Sequence, residues 1–256
     1  MVKAAVFVLA FTMLWLPIGQ HGFLLLHWMK IGTFMAPFLV LVALSFNENR
    51  RARATQSIAL IMFVAYIGHQ FEEHWIDLYG REYAFQGAVN ALLVGALGIA
   101  AEPDNLPDIL TRASVFVINT SLVWLVGALA IWRGNAFVFP VLAMVAIACV
   151  NGISHVVSSI VAGAYNPGLV TSMALLLPLS VWAYRALLQD GLASKVQVGW
   201  SIAWAIVGHI IMIFGLIAAN WWMLFPEYIY FALLVVWSAL PTVAAWMVQR
   251  NSVGQP

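Results

Sequence analysis

Along this chain, long apolar runs alternate with short polar punctuation. A helix needs about 20 apolar residues to cross roughly 30 Å of hydrocarbon. Nine runs reach or approach that length: 4–28, 31–46, 54–76, 83–101, 111–132, 136–162, 168–188, 197–221 and 227–248. Between them lie "NENRRAR", "EPDNLPD", "RGN", "YNPG" and "QDGLASK". No interval is long enough for a separate soluble domain. The pattern predicts an all-α, polytopic helical bundle forming one transmembrane domain over 1–256. The start looks a little like a signal peptide, but no small-x-small site interrupts the run before Trp28, so it is read as a retained first span.

Composition agrees with that pattern. Hydrophobic residues are 64% of the 256, charged residues 8%, and mean hydropathy is +0.95. A soluble domain is about 45–50% apolar, so the excess faces lipid; the expected location is a bacterial inner (cytoplasmic) membrane. A net charge of +1 excludes the basic surface that nucleic acid needs. The single Cys149 has no partner for an intramolecular disulfide. Partners are expected to be membrane lipid and a lipophilic small molecule.

Charge also orients the bundle, because Lys and Arg stay on the cytoplasmic side. With nine crossings the cations divide almost evenly between the two sides. If 83–101 folds back or lies at the interface, Lys3, Arg50, Arg51, Arg53, Arg133, Arg185, Lys195 and Arg250 all fall inside. Only Lys30, Arg81 and Arg112 then lie outside. Gly87, Asn90, Gly95 and Gly98 also make 83–101 the weakest span. About eight crossings plus one re-entrant or interfacial helix are therefore expected, with both termini inside. At about 1.5 Å per residue, His69 then lies roughly 22 Å beyond Ala54 and Glu73 roughly 28 Å, in the outer half of the membrane. His21, His155 and His209 fall on the same side, whereas nine crossings would separate His155 and His209 from Glu73.

Ionisable groups are concentrated where the third run ends, in "IGHQFEEHWIDLYG". Residues at i, i+3 and i+4 share a helix face, so His69, Glu73 and Asp77 form one stripe with Tyr66 beside it. Glu72 flanks His69, and His74 points further round. Either the helix end reaches headgroup water and these groups are solvated, or they form a buried cluster that must be protonated, paired or bound to a cation. A second polar stripe, Asn151, His155 and Ser159 with Ser158 adjacent, crosses "CVNGISHVVSSIVAGAYNPG". Interhelical hydrogen bonding is the plain alternative there. The echoes "IGQH", "IGHQ" and "VGHI" make His21 and His209 auxiliary candidates, with Asn151 and Asp77. His27, and tryptophans at run ends such as Trp28 and Trp75, are read as interfacial. No HExxH helix or Gly-rich phosphate loop is present.

The string His69-Gln-Phe-Glu72-Glu73, followed by "NGISH" and "YNPGLVTSMALLLPL", resembles the HXXEE family of integral membrane proteins over about residues 58–185. Residues 1–53 and 190–256 extend beyond that module. The resemblance carries over His69, Glu72, Glu73, Asn151 and His155, but no established reaction.

Imidazole with carboxylate suits a transition metal, Zn or Fe, and helices of bundles build such sites from His and Glu at short spacing. The leading reading is a membrane-embedded metalloenzyme, oxidoreductase or hydrolase, acting on a lipophilic small molecule. His69, Glu72, Glu73 and His155 would be the ligands, and Glu73, His69 and Glu72 the catalytic groups. The alternatives are a metal-independent acid–base isomerase or cyclase of a terpenoid or sterol-like lipid, and a proton- or ion-coupled transporter.

Overall fold

The computed structural model describes residues 22–44, 50–102 and 105–253, so expectations for His21 and the first run up to that point lie outside the described residues. Eight helices are present among them. We number them α1 (Phe23–Leu44), α2 (Arg50–His74), α3 (Ala84–Ala96), α4 (Arg112–Arg133), α5 (Val138–Ala162), α6 (Leu169–Gln189), α7 (Lys195–Asn220) and α8 (Glu227–Val253). Five of them, α4 to α8, contain segments long and apolar enough to cross a membrane. The only β pairing in the described residues is a single bridge between Ile76 and Glu82.

One boundary differs from expectation. The first two apolar runs were divided near residues 28–31, yet α1 is unbroken from Phe23 to Leu44. Lys30 caused the misreading. Its ammonium lies 4.9 Å from the centre of the Trp75 ring and 5.7 Å from that of Tyr83, so a charge inside the apolar run is held on aromatic faces without ending the helix. Trp28, expected at the interface, is instead buried against Trp124 and His74.

Hydrogen bonds between helix ends fix which termini lie together. Glu227, at the start of α8, accepts from Thr111 and Ser114 at the start of α4 and from Asn220 at the end of α7. Glu72, near the end of α2, accepts from Tyr165 after α5 and from the first turn of α6. At the opposite end, Gln56 near the start of α2 donates to the carbonyl of Ile131 near the end of α4. The end of α2 and the start of α4 are joined by a segment whose Tyr83 N–H bonds Trp75 and whose Asn90 bonds Leu110. The 13-residue α3 between them is about 20 Å long, short of the roughly 30 Å of a bilayer core. It does not traverse the bundle.

Helix α5 is the centre of the packing. Its first half, from Val141 to Ala148, is fully enclosed, which suits a stretch rich in Ala and Val on every face. Close approach elsewhere is bought by glycine: a Cβ on Gly127 of α4 would stand 2.5 Å from the Phe63 ring of α2. Two helices widen locally into π-helical turns, Asn119–Leu125 in α4 and Ser172–Leu176 in α6. Such turns reset the helical phase and gather at functional sites; here each begins beside a residue that reaches the polar cluster.

Candidate metal centre

Helix α2 is apolar from Ile58 to Ala65, and in its last two turns His69 and Glu73 stand four residues apart and project toward α5. Glu73 is the hub. Its Oε2 lies 3.4 Å from Nε2 of His69 and 2.9 Å from Nε2 of His74, and its Oε1 lies 3.2 Å from Nε2 of His155. All four side chains are at most 6% exposed, which rules out the solvated helix end. His69, Glu73 and His155 each offer one ligand atom, and these atoms lie within 4.8 Å of one another. Ligands bonded at about 2.0–2.1 Å in a tetrahedron stand roughly 3.4 Å apart, so the spacing accommodates an ion after small adjustments.

The remote ring nitrogens decide what the near ones offer. Asn166 donates through Nδ2 to the backbone carbonyl of His155, which leaves its Oδ1 to accept from His155 Nδ1 at 2.6 Å. Thr171 donates its hydroxyl to Glu72 and is thereby free to accept from His69 Nδ1 at 3.0 Å. Both rings are assigned a proton on Nδ1, from their partners rather than from observed hydrogens. In the neutral rings Nε2 then carries a lone pair, aimed at Glu73. This is how metal-binding imidazoles are held: the outer N–H is anchored and the inner nitrogen is presented.

His74 is governed by a longer chain. Trp124 Nε1 can only donate, and it bonds Oε1 of Gln70. Gln70 must then donate to Oδ1 of Asn119. Asn119 consequently turns Nδ2 toward the Val115 carbonyl and toward Nε2 of His74, 2.9 Å away. His74 Nε2 therefore accepts from Asn119 and cannot also give Glu73 a proton. The lone pair of His74 Nε2 is thus taken up by Asn119, while the Glu73 carboxylate and Nε2 of His155 and His69 converge beside it.

Glu72 points elsewhere. Its oxygens accept from the Tyr165 hydroxyl, from the backbone N–H groups of Val170 and Thr171, and from the Thr171 hydroxyl. It thus sits at the N-terminus of α6, where free N–H groups favour an anion. It reaches the centre through Thr171, as a carboxylate–hydroxyl–imidazole relay to His69. The expected direct place of Glu72 in the ligand set gives way to this supporting one, because the start of α6 supplies all of its hydrogen bonds.

Asn151 brings Nδ2 within 2.9 Å of His69 Nε2. Asp77 is not in the cluster. Past the helix end it accepts from the backbone N–H groups of Tyr79 and Arg81 and from the Arg81 side chain at 2.6 and 2.8 Å. Burial raises its carboxyl pKa, but these bonds outweigh that and hold it below the usual range. His209, half-buried on α7, bonds the Ala205 carbonyl through Nδ1. His27 packs on Phe23, apart from the cluster. Sequence reasoning placed His74 off the functional face and did not single out Asn119, Thr171 or Asn166. The polar triplet Asn119-Thr120-Ser121 inside an apolar run was the available signal for the first of these.

Gly168 closes the cluster from below. At φ +94°, it lies where an added Cβ would be 2.7 Å from Cε1 of His69 and 2.8 Å from Cε1 of His155. Above, Glu73 and His155 open onto a largely apolar cavity of about 290 Å³ between α3, α4, α5 and α7, with Tyr66, Asn151 and His209 also in its wall.

The chain thus combines a buried His/Glu cluster that could hold a metal ion with helices of membrane-spanning length. The family described as protein of unknown function with HXXEE motif matches residues 60–183, to which α1, α7 and α8 do not belong. Comparison with curated proteins and with solved structures gives no match.

Proposed function

We propose that this protein is a membrane-embedded metalloenzyme that acts on a lipophilic small molecule in the outer half of the bilayer. One observation carries the reading: the Nε2 atoms of His69 and His155 and the carboxylate of Glu73 converge while both outer ring nitrogens are anchored. A cation shared by these atoms removes the repulsion between their lone pairs and the cost of a buried carboxylate together. His74 stands against Glu73 with its Nε2 engaged by Asn119, and Asn151 brings a further polar group against His69. Nitrogen and carboxylate ligands of this kind fit Zn or Fe. When bound, such an ion acts as a Lewis acid and lowers the pKa of bound water.

The adjoining cavity supports the substrate class. Its wall is mostly aliphatic and aromatic, and its volume is near the lower end of the ~300–1,000 Å³ typical of ligand pockets. That is room for a small lipophilic molecule rather than a whole phospholipid. In this reading α1, α2 and α4 to α8 cross the membrane, and α3 lies across the outer face beside the cavity.

Elemental analysis of the protein purified in mild detergent tests the proposal. At least one transition-metal ion per chain is expected, with Glu73→Gln and His155→Ala each removing it and His27→Ala leaving it in place. Occupancy should fall as pH drops through the histidine range, because a protonated imidazole cannot be a ligand. Protons alone can also bridge these atoms, so a folded, active protein with no stoichiometric metal would favour acid–base isomerase or cyclase chemistry at Glu73.

A further inference from the structure

Two polar groups in the cavity wall have no hydrogen-bond partner among the described residues. The first is the hydroxyl of Tyr66. This side chain is only 4% exposed and stands edge-on to the His69 ring at 5.4 Å between centroids. A buried tyrosine hydroxyl ordinarily finds a partner, and no side chain or backbone group among the described residues supplies one. The second is Nε2 of His209. Its Nδ1 faces the Ala205 carbonyl at 2.8 Å, and a carbonyl only accepts, so that nitrogen carries the proton. Neutral His209 then has a bare lone pair at Nε2. The ring is half-buried on its helix and lines the cavity, so part of its surface faces the enclosed space.

The two unspent groups differ in kind. Tyr66 can donate, and His209 can only accept. A ketone, ester or ether oxygen would satisfy Tyr66 alone, and a hydrocarbon neither. A hydroxyl group both accepts and donates. We infer that the molecule bound in the Glu73 cavity is a lipophilic alcohol, recognised by the Tyr66 hydroxyl as donor and by His209 Nε2 as acceptor. This rests on the cavity being the substrate chamber of the proposed function, but not on the identity of the ion. It gives His209 a definite part as a specificity residue that touches the ligand and not the metal.

The test uses three probes of equal heavy-atom number, decanol, methyl nonyl ether and undecane. Each competes with a fluorescent lipid reporter for the purified full chain, and metal content is measured on the same preparations. Wild-type protein should bind the alcohol about tenfold more tightly than the ether, the worth of one hydrogen bond. The alcohol-to-ether ratio should drop to near one in His209→Phe, which removes the acceptor but keeps a ring of similar size. Tyr66→Phe should instead erase the ether-to-alkane preference. Each ratio is compared between variant and wild type in one detergent, so partition of the probes into micelles cancels. Equal binding of alcohol and ether by the wild type, once each is corrected for its own measured partition into the same micelles, overturns the inference without needing any variant to fold. A wild-type preference that survives in His209→Phe overturns it as well. Metal content separates the two proposals: a metal-free protein that still selects the alcohol defeats the metal reading alone, and a metal-loaded protein with no selection defeats this one alone.

Discussion

At the scale of single residues, the two glutamates of the HXXEE string do different work although they are neighbours. Glu73 projects into the imidazole cluster, whereas Glu72 is spent on the start of α6 and acts on His69 through the Thr171 hydroxyl. Glu73→Gln should therefore abolish metal binding. Glu72→Gln should weaken it by about 10–100-fold, the usual effect of losing an outer-shell partner. His74→Gln should also weaken it measurably, since His74 Nε2 lies 2.9 Å from Glu73. Metal titration of the three purified variants reads these directly, and an unaffected His74→Gln would show that the ring only fills space. The i, i+4 pairing of His69 with Glu73 was legible in the sequence because helix geometry fixes it, and His155, which the structure sets beside Glu73, stood out as the histidine of a polar stripe on an apolar helix. His74 was not. A helical wheel places side-chain origins and ignores the reach of a glutamate, whose carboxylate can swing to the ring of the next residue. The chain that orients His74 runs through Gln70, Asn119 and Trp124, and only the packing of α2 on α4 brings these together.

At the scale of elements, the centre depends on where helices end rather than on their middles. The turn Asn166-Pro167-Gly168 places Asn166 on His155 and starts α6 at the correct height for Thr171 to meet His69. Gly168 is required there for its left-handed backbone and for the space taken by two imidazole rings. Gly168→Ala should destabilise the protein by about 1–3 kcal/mol, as overpacking does. Metal affinity should fall in parallel, and thermal unfolding in detergent with and without added metal would show both. The turn after α2 is held differently, by Asp77. Its folded carboxyl lies below the unfolded value of about 3.9, so its stabilisation is complete above that value and is lost as pH falls through the folded one. Hydrogen exchange at the Tyr79 and Arg81 amides, corrected for intrinsic rates, should be slow at neutral pH and lose protection in acid. Asp77→Asn should be fast throughout; protection independent of both pH and this substitution would remove Asp77 from the account. The sequence grouped Asp77 with His69 and Glu73 because it extended the stripe past His74, where the helix has already stopped.

At the scale of the whole molecule, two independent constraints agree on the path of the chain. Cation placement favours a segment at 83–101 that does not cross. The hydrogen bonds at the helix ends put the end of α2, the start of α4, the end of α5, the start of α6, the end of α7 and the start of α8 at one end of the bundle. An α3 that crossed would reverse every later helix and carry His155 away from Glu73, yet the two stand 3.2 Å apart. The site thus exists only in the topology that also collects all the arginines but Arg81 and Arg112 on one side. The outer limit of α1 was not legible, because Lys30 looks like a boundary until Trp75 and Tyr83 are seen around it. With Cys149 replaced by serine, single cysteines can be placed at Asn105 and Ala164, both exposed at the cluster end, and at Asp190, exposed after α6. In intact cells an impermeant thiol reagent should label Asn105→Cys and Ala164→Cys, and should reach Asp190→Cys only after lysis. If Asn105→Cys and Ala164→Cys report opposite sides, α4 or α5 fails to cross and the bundle described here is wrong. If both report the cytoplasm, the bundle stands inverted, and the cluster with its apolar cavity would be served from the inner half of the bilayer.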